Sequence, residues 1–256
     1  MEPIRTMNAD HLEVRIYETR AEMGVAAARH AADWIREVAG RKDEINIIFA
    51  SAPSQNEFLK NLSGTPLPWE RVNAFHMDEY IGLAAGAPQG FANFLRRSIF
   101  EKVPFKAAYC IDSGAEPTTE CGRYADLLTR YPADIIFMGI GENAHVAFCD
   151  PGVAFLNDPE IVKIVELDAA CRNQQVNDGC FPTLADVPTH AFTITVPVML
   201  RVPHMMLVAP TALKANAIRS VVRGPIDEMV PASLVRLHAE REDAVLFTDA
   251  NGASLL

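Results

Sequence analysis

The sequence predicts an α/β protein built on a mostly parallel sheet, and two observations carry that expectation. Short apolar runs bounded by turn residues recur along the chain, with stretches of helical composition between them. Polar clusters then fall repeatedly at the carboxyl ends of those runs, where open parallel sheets bind their ligands.

Residues 11–40 read as one long helix, rich in Ala and long side chains, with Val25, Ala28 and Trp34 near helical spacing and Gly40 as its stop. Ile45–Ala50 (INIIFA) reads as a buried strand, Ser51–Gln55 (SAPSQ) as a turn, and NEFLKNL as the start of a helix. Val72–His76 (VNAFH) is the next strand. After a loop of Gly, Ala and Pro comes a helix over Phe91–Phe100, then another over Thr118–Arg130, where Glu120 supports the first turn. Ala133–Met138 is a strand, and Ile161–Leu167 is a strand at an edge or in a small subsheet. Ala191–Val196 and Met205–Ala209 are strands by β-branched and apolar content, Ala215–Val222 a helix, and Ala244–Thr248 the last strand. With no internal repeat, low-complexity tract or convincing linker, residues 1–256 are expected to form a single domain.

Apolar residues make up 49% of the 256 and charged residues 22%, as in ordinary globular chains. The formal net charge of -10, spread along the chain, argues against nucleic acid or an anionic membrane as a partner. It leaves room for an anionic small molecule in a local pocket. No apolar run has membrane-spanning length and no leader pattern is present. The five cysteines are odd in number and lack a CxxC pair, so free thiols and a cytoplasmic location are expected.

Four polar clusters sit at strand ends: SAPS, HMDEY, GENAH and PTALK. In GIGENAHVAFCDP (139–151), Gly139 and Gly141 allow a tight turn and close approach to a ligand, or serve only the turn. His145 is either an acid–base group or an ordinary polar residue. Asp150 can orient its ring, and Asn143 can bond the same imidazole or a substrate. In HMDEY, Asp78 and Glu79 point to opposite sides if the segment is extended, so one faces a pocket, with His76 on the side of Asp78. The alternative is a solvated strand end. Ser51, Ser54 and Lys214 can surround an anion, phosphate above all, or act as a cap and a surface lysine. The seven histidines are scattered without HxH, HExxH or paired Cys/His spacing, so no metal site is expected.

In this order the clusters resemble the glucosamine-6-phosphate deaminase (isomerase) family, part of a group that includes the 6-phosphogluconolactonases. HMDEYIGL (76–83) and GIGENAHVAF (139–148), followed by Asp150-Pro151, carry the likeness, and MDEYIGL favours the deaminase side. The order of clusters fits from Ile45 to the last strand, while firm motif identity covers a few dozen residues. The resemblance implies a three-layer α/β/α sandwich with a Rossmann-like sheet. It implies an enzyme that opens the ring of an amino-hexose 6-phosphate, isomerises aldose to ketose and releases ammonia. No cofactor is implied, because the substrate carbonyl is its own electron sink. Asp78 then inherits the role of the base between C2 and C1, His145 that of the ring-opening acid–base group, Asp150 that of its partner and Lys214 that of a phosphate contact. The partner implied is a small-molecule sugar phosphate. Some members are hexamers, which leaves a homo-oligomer open.

The departures are specific. The family pattern GxGxDGH stands here as GxGENAH, so Asn143 replaces a carboxylate and Ala144 a glycine. SAPSQ replaces a TGxTP-like loop, and Pro53 removes a backbone donor. Arg172, in CRNQQVNDG (171–179), is the guanidinium available for the phosphate site, or it holds the fold. A 6-phosphogluconolactonase and a non-catalytic sugar-phosphate sensor are the alternative readings.

Overall fold

The computed structural model describes residues 2–238 and 243–256. It begins with a hairpin of β1 (Arg5–Ala9) and β2 (Leu12–Tyr17), turned at Asp10 with φ +50°. Asp tolerates that left-handed geometry better than most residues. The long helix expected from residue 11 is therefore corrected. LEVRIY alternates, with Leu12, Val14 and Ile16 buried and Glu13 and Arg15 less so, a period of two rather than 3.6. Helix α1 (Arg20–Ala39) starts only after a capping box, in which Thr19 and Glu22 satisfy each other's backbone N–H groups.

The remaining elements keep the α/β alternation, with some short strands and helices that the sequence pattern did not announce. They are β3 (Ile45–Phe49), α2 (Asn56–Ser63), β4 (Val72–His76), β5 (Asp78–Tyr80) and α3 (Phe91–Leu95), which runs on into a π turn over Arg96–Phe100. Next come β6 (Ala107–Tyr109), α4 (Pro117–Arg130), β7 (Ile135–Met138), β8 (Val162–Glu166) and α5 (Ala169–Asn177). The chain ends with β9 (His190–Ile194), α6 (Val196–Leu200), β10 (His204–Val208), α7 (Ala215–Arg223) and β11 (Asp243–Asp249).

Eight strands form the main sheet in the order β1-β2-β11-β10-β7-β3-β4-β6, parallel except for the first pair. Its central strands β3, β4 and β7 are buried on both faces, and successive residues feed opposite layers. Ile48, Ile136 and Leu207 pack with Tyr124, Leu128, Ile218 and Val221 from α4 and α7. Ile47, Phe137 and Met206 pack with Ala27, Ala31, Trp34, Phe58 and Leu62 from α1 and α2. The result is a three-layer α/β/α sandwich. Each fully buried Ile, Leu or Phe contributes about 1.5–3 kcal/mol.

A second, antiparallel sheet runs β5-β9-β8, which places Ile161–Leu167 in a small subsheet. An aromatic cluster fastens it to the glycine-rich loop: Tyr80 lies 4.9 Å from Phe91 and 5.3 Å from Phe148, and Phe91 stacks on Phe148 at 5.4 Å. Asp78, on β5, and His145, three residues before Phe148, are thereby held over the same end of the main sheet. Among the described residues no helix is long and apolar enough to cross a membrane.

Candidate functional site

A cleft opens beyond the carboxyl ends of β3, β7 and β10, and Arg20, Ser51, Ser54, Asp78, Gly139, Gly141, His145, Gln175, Asp178 and Lys214 all line it. Segments far apart in the sequence thus meet where the strand-end clusters pointed.

The two glycines differ in what they do. A Cβ on Gly141 would stand 2.3–2.4 Å from the His145 ring, so that glycine lets the imidazole lie over the backbone. A Cβ on Gly139 would make only ordinary contacts, at 3.5 Å, with Ser54 and Gln55. The turn between them and His145 closes through Gly141 N–H to the His145 carbonyl (2.9 Å) and Ala144 N–H to the Gly141 carbonyl (3.0 Å). Ala144 is thereby forced to φ +64°, a region that favours glycine.

His145 Nδ1 lies 3.1 Å from Asp150 Oδ1, close enough for an ion pair but without hydrogen-bond geometry. Asn143 does not bond the imidazole. It accepts from the His145 backbone N–H (3.2 Å) and donates to Asp150 Oδ1 (2.9 Å) and Asp168 Oδ2 (3.4 Å). Burial alone would push Asp150 up, but His145 and the Asn143 amide outweigh it and hold its carboxyl below the ordinary value. Position 143 thus faces two carboxylates, which explains an amide there: a third carboxylate would meet like charge on both sides.

Asp78 and Glu79 diverge as an extended segment requires. Glu79 accepts the backbone N–H groups of Tyr80 (3.0 Å), Phe91 (3.0 Å) and Ala92 (2.8 Å), capping α3 from outside its own segment. Asp78 faces the cleft, and its Oδ1 has no hydrogen-bond partner among the described residues. Burial, and then the neighbouring Glu79, push the Asp78 carboxyl well above the usual carboxylate range. His76 does not join Asp78 in the cleft. It is fully buried, its Nε2 accepts the Ile111 N–H at 2.8 Å, and burial lowers its pKa to about 3, so it stays neutral.

Lys214, which also lines the cleft, is buried, with no hydrogen bond or ion pair among the described residues. Burial lowers its pKa, although Asp178 and Glu142 oppose the shift. Ser51 is buried with an unpartnered hydroxyl, and Ser54 accepts from the Gln55 amide at 3.0 Å. Before Lys214, Thr211 holds φ +80°, pinned by its N–H to Asp249 (2.9 Å), the kind of strain that collects at binding sites. Arg172 is not in this cleft. Its guanidinium donates to the carbonyls of Leu184 (2.7 Å) and Val187 (2.9 Å), tying α5 to the following turn. Among the described residues the guanidinium that lines the cleft is that of Arg20, braced by Glu57 (2.7 Å) and the Pro53 carbonyl (2.6 Å). Sequence reasoning missed Arg20 because it assigned that position to the interior of a longer helix. Gln175, on a helix the pattern did not reveal, and Asp178, which caps that helix's C-terminus, were also missed.

The spacing rules that discouraged a metal site see only local patterns. The fold brings His145, Asp150 and Cys171 together, with one potential ligand atom of each within 4.8 Å of the others. Burial, then Asp150 and Asp168, push the Cys171 thiol up.

Residues 18–246 match the family model of glucosamine-6-phosphate isomerases/6-phosphogluconolactonase. A glucosamine-6-phosphate deaminase of Streptococcus sanguinis (strain SK36) is 32% identical over 208 residues, covering 81% of this chain and 85% of the relative. The solved structure of a monomeric glucosamine-6-phosphate deaminase superposes with a TM-score of 0.85 at 27% identity, covering 95% of this chain and 99% of the other. A 6-phosphogluconolactonase from Thermotoga maritima shares the fold, with a TM-score of 0.75 at 15% identity over 92% of this chain and 98% of the other.

Proposed function

The chain belongs to the glucosamine-6-phosphate isomerase/6-phosphogluconolactonase family, and from that premise we propose that its cleft converts an amino-hexose 6-phosphate to a ketose 6-phosphate and ammonia. The observation that carries this reading is Asp78, a buried carboxylate with an unpartnered oxygen facing the same cleft as the His145–Asp150 pair.

The chemistry follows from the groups. His145, steadied by Asp150, passes a proton from the C1 hydroxyl to the ring oxygen, and the ring opens to an aldehyde. Asp78 takes the C2 proton, the C1–C2 double bond forms as the carbonyl pair moves onto O1, O1 takes a proton from solvent, and an enolamine results. Asp78 returns its proton to C1 on the same face, which leaves an iminium at C2 and a hydroxyl at C1. Water adds to C2, and ammonia leaves. A carboxylate with a raised pKa suits both halves of that shuttle, since it must accept and then release one proton near neutral pH. The phosphate sits at the Lys214 end, with Ser51, Ser54 and Arg20 around it, and fixes the carbon chain over Asp78. Gly139 and Gly141 let the loop come close to the sugar, and Asn143 holds Asp150 in place. Arg172 acts on the fold and not on the phosphate.

The test is to incubate the purified chain with glucosamine 6-phosphate, galactosamine 6-phosphate and 6-phosphogluconolactone. Ammonia and a ketose phosphate from one of the amino sugars are expected. Hydrolysis of the lactone alone would move the chain to the other branch of its family, and no product from any of the three would overturn the enzyme reading.

A further inference from the structure

The ring-opening histidine has a second feature beside it that the proposed reaction does not use. His145, Asp150 and Cys171 converge from the glycine-rich loop and the first turn of α5, and all three are buried. Their ligand atoms, within 4.8 Å of one another, are a nitrogen, a carboxylate oxygen and a sulfur, a set suited to a tetrahedral thiophilic cation. Asp150 Oδ2 has no hydrogen-bond partner among the described residues, and His145 Nδ1, 3.1 Å from Asp150 Oδ1, lacks hydrogen-bond geometry to it. Unpartnered buried polar atoms are costly, and they cluster where a ligand completes the site.

The surrounding bonds hold this set in place. Asn143 occupies the other Asp150 oxygen, Oδ1, and so leaves Oδ2 for the cluster. Asp168 caps α5 by accepting the Cys171 N–H at 2.6 Å, which fixes the backbone that carries the thiol. Ordinary zinc bond lengths put tetrahedral ligand atoms roughly 3.3–3.6 Å apart, so the side chains must close by about an ångström.

We propose that His145, Asp150 and Cys171 form an inhibitory site for a thiophilic divalent cation, zinc above all. The cation binds Cys171 Sγ, Asp150 Oδ2 and His145 Nδ1, with water in the fourth position. Cys171 releases its thiol proton to solvent, and the thiolate and the Asp150 carboxylate balance the two positive charges. A metal on Nδ1 removes the histidine from acid–base work. Nε2 then keeps its proton, since a lone pair there would require an imidazolate. The site stands independently of the proposed reaction, and only its inhibitory effect rests on that reading.

The test uses the intact chain with cobalt(II) or zinc(II) chloride and no substrate. Cobalt should bind one per chain and give the near-ultraviolet thiolate-to-cobalt band and the visible bands of a tetrahedral centre. Cys171→Ala should abolish the thiolate band and weaken zinc binding by more than about tenfold, measured against a chromophoric chelator. Cys171→Ser serves the same purpose if the alanine variant does not fold. Replacing Cys110, Cys121 and Cys180 together by Ala should leave the band intact. Turnover should fall with zinc, recover with a chelator, and resist zinc in the Cys171 variant. A spectrum without thiolate ligation, or a band that survives loss of Cys171, would overturn the site. Tight, Cys171-dependent cobalt binding in a chain that turns over no amino sugar would leave the site standing and refute the reaction instead.

Discussion

The cleft and the fold around it treat similar residues in opposite ways. On the side facing the fold, Glu79 spends its carboxylate on three backbone N–H groups and Arg172 its guanidinium on two carbonyls. On the side facing the cleft, Asp78 keeps an unpartnered oxygen and Lys214 has no partner among the described residues. Glu79 and Asp78 are neighbours in sequence, and Arg172 and Lys214 are both cations that the sequence offered to a phosphate. What separates them is whether the fold has already used their hydrogen-bonding capacity. Polar groups the fold has satisfied position the site, and those it has left unsatisfied are available to a ligand.

The comparison can be broken most severely at Asp78. Asp78→Asn should lower kcat by about a thousandfold while KM changes little. It should also raise Tm at neutral pH. The raised Asp78 pKa means the native state holds its proton above the ordinary 3.8, so the stability penalty is absent at low pH and grows as pH rises past that value. The amide carries no such penalty. For the same reason the acid limb of the wild-type kcat/KM profile should lie above the usual carboxylate range. A Tm that falls in Asp78→Asn would place Asp78 with Glu79 as a structural group.

Lys214→Met should raise KM about ten- to a hundredfold with kcat less affected, the mark of a lost anion contact. Its lowered pKa makes it, too, a stability cost at neutral pH, present below the folded pKa and gone above 10.5, so thermal melts should show the variant no less stable. An unchanged KM would move the phosphate elsewhere.

Asn143→Asp should destabilise by about 1–3 kcal/mol at pH 7.5, because it trades a donor shared by Asp150 and Asp168 for a third carboxylate. The new carboxylate's pKa is raised, so the loss should shrink as pH falls toward 4.5, read by denaturant melts at the two pH values. Arg172→Ala should be the mildest change, about 1 kcal/mol of stability with KM intact. A rise in KM there would restore Arg172 to the phosphate site.

Most of the fold and much of the candidate site were legible in the sequence, for physical reasons. Buried parallel strands such as INIIFA and ADIIFM are continuous apolar runs, legible without a partner. LEVRIY was hidden because its alternation runs straight into an alanine-rich helix, and the Thr19–Glu22 box that separates them outweighed composition. Strand periodicity foretold the divergence of Asp78 and Glu79. Arg20, Gln175 and Cys171 were not legible, because their place in or beside the cleft depends on contacts across the fold rather than on neighbouring residues. Local spacing likewise cannot reveal that the partners of Asn143 are Asp150 and Asp168, the second 25 residues away.

The central claim is that Asp78 moves a proton between C2 and C1 of a sugar phosphate held in this cleft. Proton NMR of the substrate and product pools in deuterated buffer tests it most directly. The account expects deuterium at C1 of the ketose phosphate, or solvent exchange at C2 of the amino sugar, with wild-type protein and none with Asp78→Asn under conditions where the variant still binds the sugar phosphate. Exchange that persists in Asp78→Asn would contradict it.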